Sequence, residues 1–320
     1  MILREKKRFL PLNQIPVSLW DVKEETLKLP GELISSWVQL LDSENLREMA
    51  LNDSVSNSTG GQDKCETDTH LANKYTGSCA RTILSIIDPL DKAKLASDTY
   101  ISIFSGGDVF LLDIPAGAGS GSVSILSTLY ELRSKNILPR YPLNLKILAG
   151  EISPSARDYF SRQIEGLKPL LATQAIIVEY EITDWDAVNL QNNLDFVVKM
   201  YEKGKGIPCK LILITNFSGF LGSEQNWDSA KNSFESIFHV NKDDNSHVIW
   251  IEPQISKARK IVGKIAKWFF TKFPFFIQEN KIEDDLHCET EINCSHPLKD
   301  VKFKTRMKIM CFRLTQRNDQ

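Results

Sequence analysis

Apolar and polar positions change rhythm along this chain. From Val109 onward, short runs of aliphatic and β-branched residues alternate with stretches whose apolar residues recur at spacings of three and four. The runs predict strands near Val109–Asp113, Leu145–Glu151, Ala175–Glu181, Lys210–Asn216 and His247–Glu252, since a strand covered on both faces needs apolar side chains on both. The stretches between them predict helices at Ser120–Lys135, Ser155–Leu167, Asp186–Tyr201, Trp227–Phe238 and Ser256–Lys272, each with an apolar stripe to bury. Regular strand and helix alternation builds a parallel sheet with helices on both faces. In the tail, Pro274–Lys281 and Val301–Leu314 both read as strands with no long helix between them, which predicts an antiparallel hairpin at the sheet edge. The expected fold is α/β, with a seven-stranded, mostly parallel sheet.

The first hundred residues follow another pattern. Glu32 to Met49 and Leu71 to Ile87 carry helical spacing, and Asp88-Pro89 stops the second helix because proline disfavours helix in the residue before it. The polar, glycine- and serine-rich stretch near 52–62 predicts a mobile loop. Residues 1–104 are thus expected to form a mainly helical lid or substrate-recognition segment, and residues 105–320 the main domain.

Length and composition narrow the class. A chain of 320 residues with 42% hydrophobic residues can bury a large core, and a net charge of -2 leaves any basic surface to be local. The N-terminus lacks an apolar core of signal-peptide length and no later segment is long enough to span a bilayer, so the expected setting is cytoplasmic and not membrane-bound. Six scattered cysteines suit reduced thiols better than a disulfide framework.

The chemistry concentrates at strand ends. Asp113-Ile-Pro-Ala-Gly117-Ala-Gly119-Ser-Gly121 joins a buried strand to a helix, and a glycine turn there sets bare backbone and a positive helix end against a ligand. A nicotinamide dinucleotide fold needs Gly-x-Gly-x-x-Gly and an acid about twenty residues on. Counting from Gly117, the sixth position is Ser122, and Glu151 lies too far along, so that reading fails. The order of strand ends instead resembles the class I S-adenosylmethionine-dependent methyltransferases, from Val109 to Glu252 most closely. Pro115 stands where that family most often has its first glycine, and Gly121 is an addition.

The resemblance implies a cofactor, S-adenosylmethionine, and assigns residues to it. Asp113, Gly117 and Gly119 would form its first motif, and Glu151 would hold both ribose hydroxyls from an exposed strand end. Ile152 and Trp185 would cover the adenine ring, and Asp184 would accept from its amino group. Asn216 and Ser218 would line the reacting methyl position, with Tyr75 and Arg81 contributing from the lid. The motif of family members that methylate an exocyclic base amine is absent after the fourth strand, and the acceptor substrate is left unidentified. A catalytically inactive, methyltransferase-like partner subunit is the alternative.

Two further features bear on partners. Lys257, Lys260, Lys264 and Lys267 share a helical stripe, and Lys302, Lys304, Arg306 and Lys308 share one strand face; such rows suit either solvent or the phosphates of a nucleic acid. His287, Cys288, Cys294 and His296 supply metal-ligand chemistry, but Cys288 and Cys294 are spaced too widely for a zinc knuckle, and the expectation is a polar hairpin with no metal.

Overall fold

The computed structural model describes residues 7–52, 63–243, 245–254, 263–265, 267, 268, 271, 272 and 287–314, with the side chains of Glu224, His287 and Cys288 left out. The chain opens with two short strands, β1 (Trp20–Asp21) and β2 (Thr26–Leu27). Five helices follow: α1 (Gly31–Ser43), α2 (Arg47–Leu51), α3 (Lys64–Asn73), α4 (Tyr75–Ile87) and α5 (Lys94–Ile103). Then come β3 (Gly107–Asp113), α6 (Ser120–Ser134), β4 (Leu143–Gly150), α7 (Pro154–Ala172), β5 (Ile176–Thr183) and α8 (Leu190–Gly204). The chain continues through β6 (Cys209–Thr215), α9 (Ser218–Leu221), α10 (Glu224–Val240), β7 (Ser246–Pro253), β8 (His287–Ser295) and β9 (Lys302–Arg313).

The strands form one sheet in the order β1-β2-β8-β9-β7-β6-β3-β4-β5. β3 to β7 pair in parallel throughout, whereas β9 runs antiparallel to both of its neighbours, β7 and β8. Among the described residues the sheet therefore has nine strands and not the expected seven. β1 and β2 contain two residues each, too few to show any periodicity, and they extend the sheet beyond β8 by a parallel β2–β8 pairing. The C-terminal hairpin is consequently inside the sheet and not at its edge. Its first strand is His287–Ser295: Thr290, Ile292 and Cys294 are buried while Glu289, Glu291 and Asn293 are exposed, an alternation hidden by its polar composition. Pro274–Lys281 and most of Ser256–Lys272 lie outside the described residues.

Alternation along the central strands divides the core in two. Val109 and Leu111 of β3, Leu211 and Leu213 of β6, and Ile249 and Ile251 of β7 face α4 to α7 and the apolar residues of the N-terminal segment. Phe110 and Leu112, Ile212 and Ile214, and Val248 and Trp250 face α8 and α10. A sheet buried on both sides in this way reads as continuous apolar runs, which is why these strands were visible in the sequence. Two predicted helices are broken. Asn45, with φ at 58°, separates α1 from α2, and Lys74 separates α3 from α4.

Strand order reverses at β3, with β4 and β5 to one side and β6 and β7 to the other. In open α/β sheets the ligand crevice lies outside the carboxyl ends at such a point.

Candidate functional site

A cavity of about 270 Å³ opens there, just below the range of about 300–1,000 Å³ usual for ligand pockets. Its walls come from the ends of β3, β4, β5 and β6, and α3 also contributes.

After β3 the backbone turns through the cis Ile114–Pro115 peptide and then through Gly117 and Gly119, whose φ values of 53° and 91° favour glycine. Gly117 lines the cavity; Gly119 supports the turn from behind, where an added Cβ would meet Phe160 at 3.0 Å. Gly121 has a packing reason, since a Cβ there would lie 2.7 Å from Leu213 and 3.1 Å from the Asp113 carboxylate. Asp113 itself is fully buried and does not line the cavity. Its Oδ2 accepts from the Ser122 amide at 3.0 Å and the Ser122 hydroxyl at 2.6 Å, satisfying first-turn donors of α6. Burial, with the nearby Glu151 charge, pushes its carboxyl up to about 7. Asp113 thus shapes the turn from beneath.

Glu151 is at the wall, though not as the exposed group the sequence suggests. Only 7% of it is exposed, its Oε2 accepts from the Gly117 amide and its Oε1 from the Ser153 amide, both at 2.9 Å. Burial raises its pKa. An ionised carboxylate has about four acceptor sites, so two remain after these bonds. Gly150 just before it lets Trp185 close on β4, because a Cβ would stand 2.8 Å from the Trp185 Cβ.

Ile152 and Trp185 both line the cavity. Trp185 is held by a hydrogen bond from Nε1 to Asn193 Oδ1 at 3.1 Å and by ring contacts with Phe196, Phe217 and Phe234. Asp184 is turned outward: its side chain is 54% exposed, paired with Arg157 at 3.0 Å and bonded by Asn192 at 2.8 Å. Asp186 stands at the wall in its place.

At the end of β6, Asn216 lines the cavity in a left-handed conformation, φ 56°. Arg81 donates to its Oδ1 from Nε at 2.8 Å and Nη2 at 2.6 Å, leaving the Asn216 Nδ2 group without a protein partner among the described residues. Burial pulls Arg81 down to about 10, so it stays charged at neutral pH. Ser218 is buried behind the wall and does not reach the cavity. Its amide and that of Phe217 donate to Glu252, at 2.9 and 3.1 Å, and Trp250 Nε1 donates to Glu252 at 2.6 Å. Tyr75 is also set back. Its hydroxyl donates to Gln163 at 2.7 Å, and Gln163 in turn donates to the Ala118 carbonyl at 2.5 Å, supporting the glycine turn.

Sequence reasoning missed Asp186, Phe217 and Phe220, and it missed Glu66, Thr67 and His70, which bring α3 to the wall. Asp63 caps this helix by accepting from the Glu66 amide at 2.8 Å, and Asp-x-x-Glu is a helix-start signal available in the sequence. Ion pairs hold α3 in place: Lys64 reaches Glu44 at 2.9 Å and the Tyr159 hydroxyl at 2.6 Å, and Arg162 reaches Glu44 at 2.6 Å. Hydrogen bonds from Arg162 and then Lys64 hold the Glu44 carboxyl down to about 2.

The C-terminal basic row is occupied by acids. Lys302 pairs with Glu24, Lys304 and Arg306 with Glu291, and Lys308 with Glu289. Among the described residues no three His, Cys, Asp or Glu side chains gather as a metal site, and no helix is long and apolar enough to cross a membrane.

No protein-family model matches the chain, and no curated protein matches it. Similar solved structures include the precorrin-6y C5,15-methyltransferase of Geobacter metallireducens GS-15, with 11% identity, a TM-score of 0.33, and 67% of this chain and 84% of that one covered. Another, described as conversion of a disulfide bond into a thioacetal group during echinomycin biosynthesis, has 9% identity and a TM-score of 0.31, covering 67% and 80%. With identities and scores this low, what the cavity presents decides the chemistry.

Proposed function

We propose that the chain is an S-adenosylmethionine-dependent methyltransferase. The observation that carries this reading is the charge of the cavity wall. Glu66, Glu151 and Asp186 line it and, among the described residues, no lysine or arginine does, a wall suited to the sulfonium and ammonium charges of S-adenosylmethionine and poorly suited to the pyrophosphate of a dinucleotide. The residues present also fit the molecule's parts. The two acceptor sites left on Glu151 suit neighbouring ribose hydroxyls, Ile152 and Trp185 suit the adenine faces, and the backbone of Ala116 to Ala118 suits the amino-acid end.

When bound, the cofactor supplies an activated methyl group together with its own leaving group. The work left to the protein is to align an acceptor and exclude water. Asn216, fixed by Arg81, presents an amide donor at the end of β6, and the stacked Phe217 and Phe220 rings, 5.1 Å apart, keep that end apolar. Ser218 has no part in this reading because Glu252 holds it behind the wall. The basic row on β9 is paired with carboxylates, so this reading does not draw on it.

Calorimetry tests the reading. S-adenosylmethionine and S-adenosylhomocysteine are each expected to bind with a clear isotherm and NAD with none; heat from NAD alone would reverse the assignment.

A further inference from the structure

Resting on the methyltransferase reading, we propose that His70 takes the proton of the methyl acceptor, and that the acceptor is a small aromatic ring bearing a hydroxyl or thiol, seated against Phe217 and Phe220. Four observations meet at this end of the cavity. His70 lines it from α3, and among the described residues neither ring nitrogen has a hydrogen-bond partner. Asn216, whose Nδ2 is likewise unpartnered, lines the same cavity. Phe217 and Phe220, stacked on each other with rings 5° apart, both line the cavity, and an aromatic acceptor packs against the ring surface they leave toward it. A volume of about 270 Å³ is too small to enclose an acceptor together with the cofactor, so the acceptor ring is presented at the mouth.

Among the described residues the neutral polar groups near this end do not offer a base. The Asn216 oxygen is taken by Arg81, Ser218 is turned into the protein, and Thr67 is engaged with Ser153 Oγ at 2.8 Å. Burial first, then the charges of Arg81 and Lys74, push the His70 imidazole down to about 4, so it is unprotonated across the neutral range and free to accept. In the transfer, the acceptor oxygen or sulfur forms its bond to the methyl carbon as the carbon–sulfonium bond breaks, the electron pair going to the cofactor sulfur. The acceptor proton passes to His70, so the positive charge lost at sulfur reappears on the imidazole. Burial and the Arg81 and Lys74 charges oppose it, and Glu66, Glu151 and Asp186 are the carboxylates on the same cavity wall.

Phenol, catechol, thiophenol and 4-nitrothiophenol are the probes, each assayed for uptake of labelled methyl by wild type and His70→Gln at neutral pH. General-base assistance is worth about 10²–10⁴-fold, so His70→Gln is expected to lose at least about a hundredfold on phenol. It should lose little on 4-nitrothiophenol, which is already ionised and needs no base. S-adenosylmethionine affinity by calorimetry should not change, and 4-nitrophenol added without cofactor should shift the His70 ring resonances. Equal losses on neutral and ionised probes mean a packing role and overturn the proposal, as does cofactor binding by wild type with no transfer to any of the four. A wild-type protein that binds no S-adenosylmethionine fails earlier, contradicting the methyltransferase reading itself.

Discussion

Glu151 after β4 and Glu252 near the end of β7 are two versions of one local structure. Each is a nearly buried carboxylate that accepts two backbone amides from neighbouring loops, and burial raises the pKa of both. They differ in what is left over. Glu252 also accepts from Trp250 Nε1 and is sealed behind Phe217, whereas Glu151 keeps free acceptor sites on a cavity wall. A buried strand-end acid is therefore not by itself a binding residue. Spare hydrogen-bonding capacity facing a space makes it one.

The largest effect is expected at the sealed member. Glu252→Ala leaves three buried donors without an acceptor, each costing about 1–3 kcal/mol, so denaturant unfolding should show a loss of about 3 kcal/mol or more. Cofactor affinity of the folded fraction should be unchanged. A Glu252→Ala protein of wild-type stability would dissolve the contrast from its structural side.

Glu151→Ala should act on both properties. It strips the acceptor from the Gly117 and Ser153 amides, a loss of about 2 kcal/mol, and removes charge-assisted bonds worth about 1.5–3 kcal/mol each from the ligand, so affinity should fall at least about tenfold. Stability lost with calorimetric affinity intact would make Glu151 a second Glu252.

How much of this was legible follows the same division. The parallel strands were readable because both faces are apolar, and the glycine turn because Gly117 and Gly119 need positive φ. The order of strand ends located Glu151, Ile152, Trp185 and Asn216 at the cavity. Orientation was not readable. Asp113 and Ser218 are adjacent to the site in sequence yet face inward, and Asp184 and Asp186 exchange places because Arg157 and Asn192 draw Asp184 outward. The α3 wall was hidden for another reason: its placement depends on the Lys64–Glu44 ion pair and on hydrogen bonds to residues as distant in sequence as Ser153 and Tyr159, and pairing at that separation leaves no local pattern. β1 and β2 owe their existence to the β8 edge they cover.

The α3 wall should also respond to acid. The folded-state pKa of Glu44 is depressed from 4.5 to about 2, so its contribution is fully present above pH 4.5 and is lost as pH falls from there toward about 2. Thermal unfolding across that window should drop less steeply in Glu44→Gln than in wild type. Parallel curves would detach Glu44 from the stability of this region.

The smallest effect belongs to Asp184. Exposed ion pairs contribute about 0–1 kcal/mol, so Asp184→Asn should cost less than about 1 kcal/mol in unfolding and leave cofactor affinity unchanged. A pronounced loss of affinity would return Asp184 to the site and remove Asp186 from it.

The most direct measurement is a crystal structure of the protein grown with S-adenosylhomocysteine. Both ribose hydroxyls are expected within hydrogen-bond distance of the Glu151 carboxylate, with the adenine between Ile152 and Trp185 and no ligand atom touching Glu252. A ligand bound away from Glu151, or a Glu151 side chain left on its two backbone amides with no ribose contact, would contradict the distinction drawn between the two carboxylates.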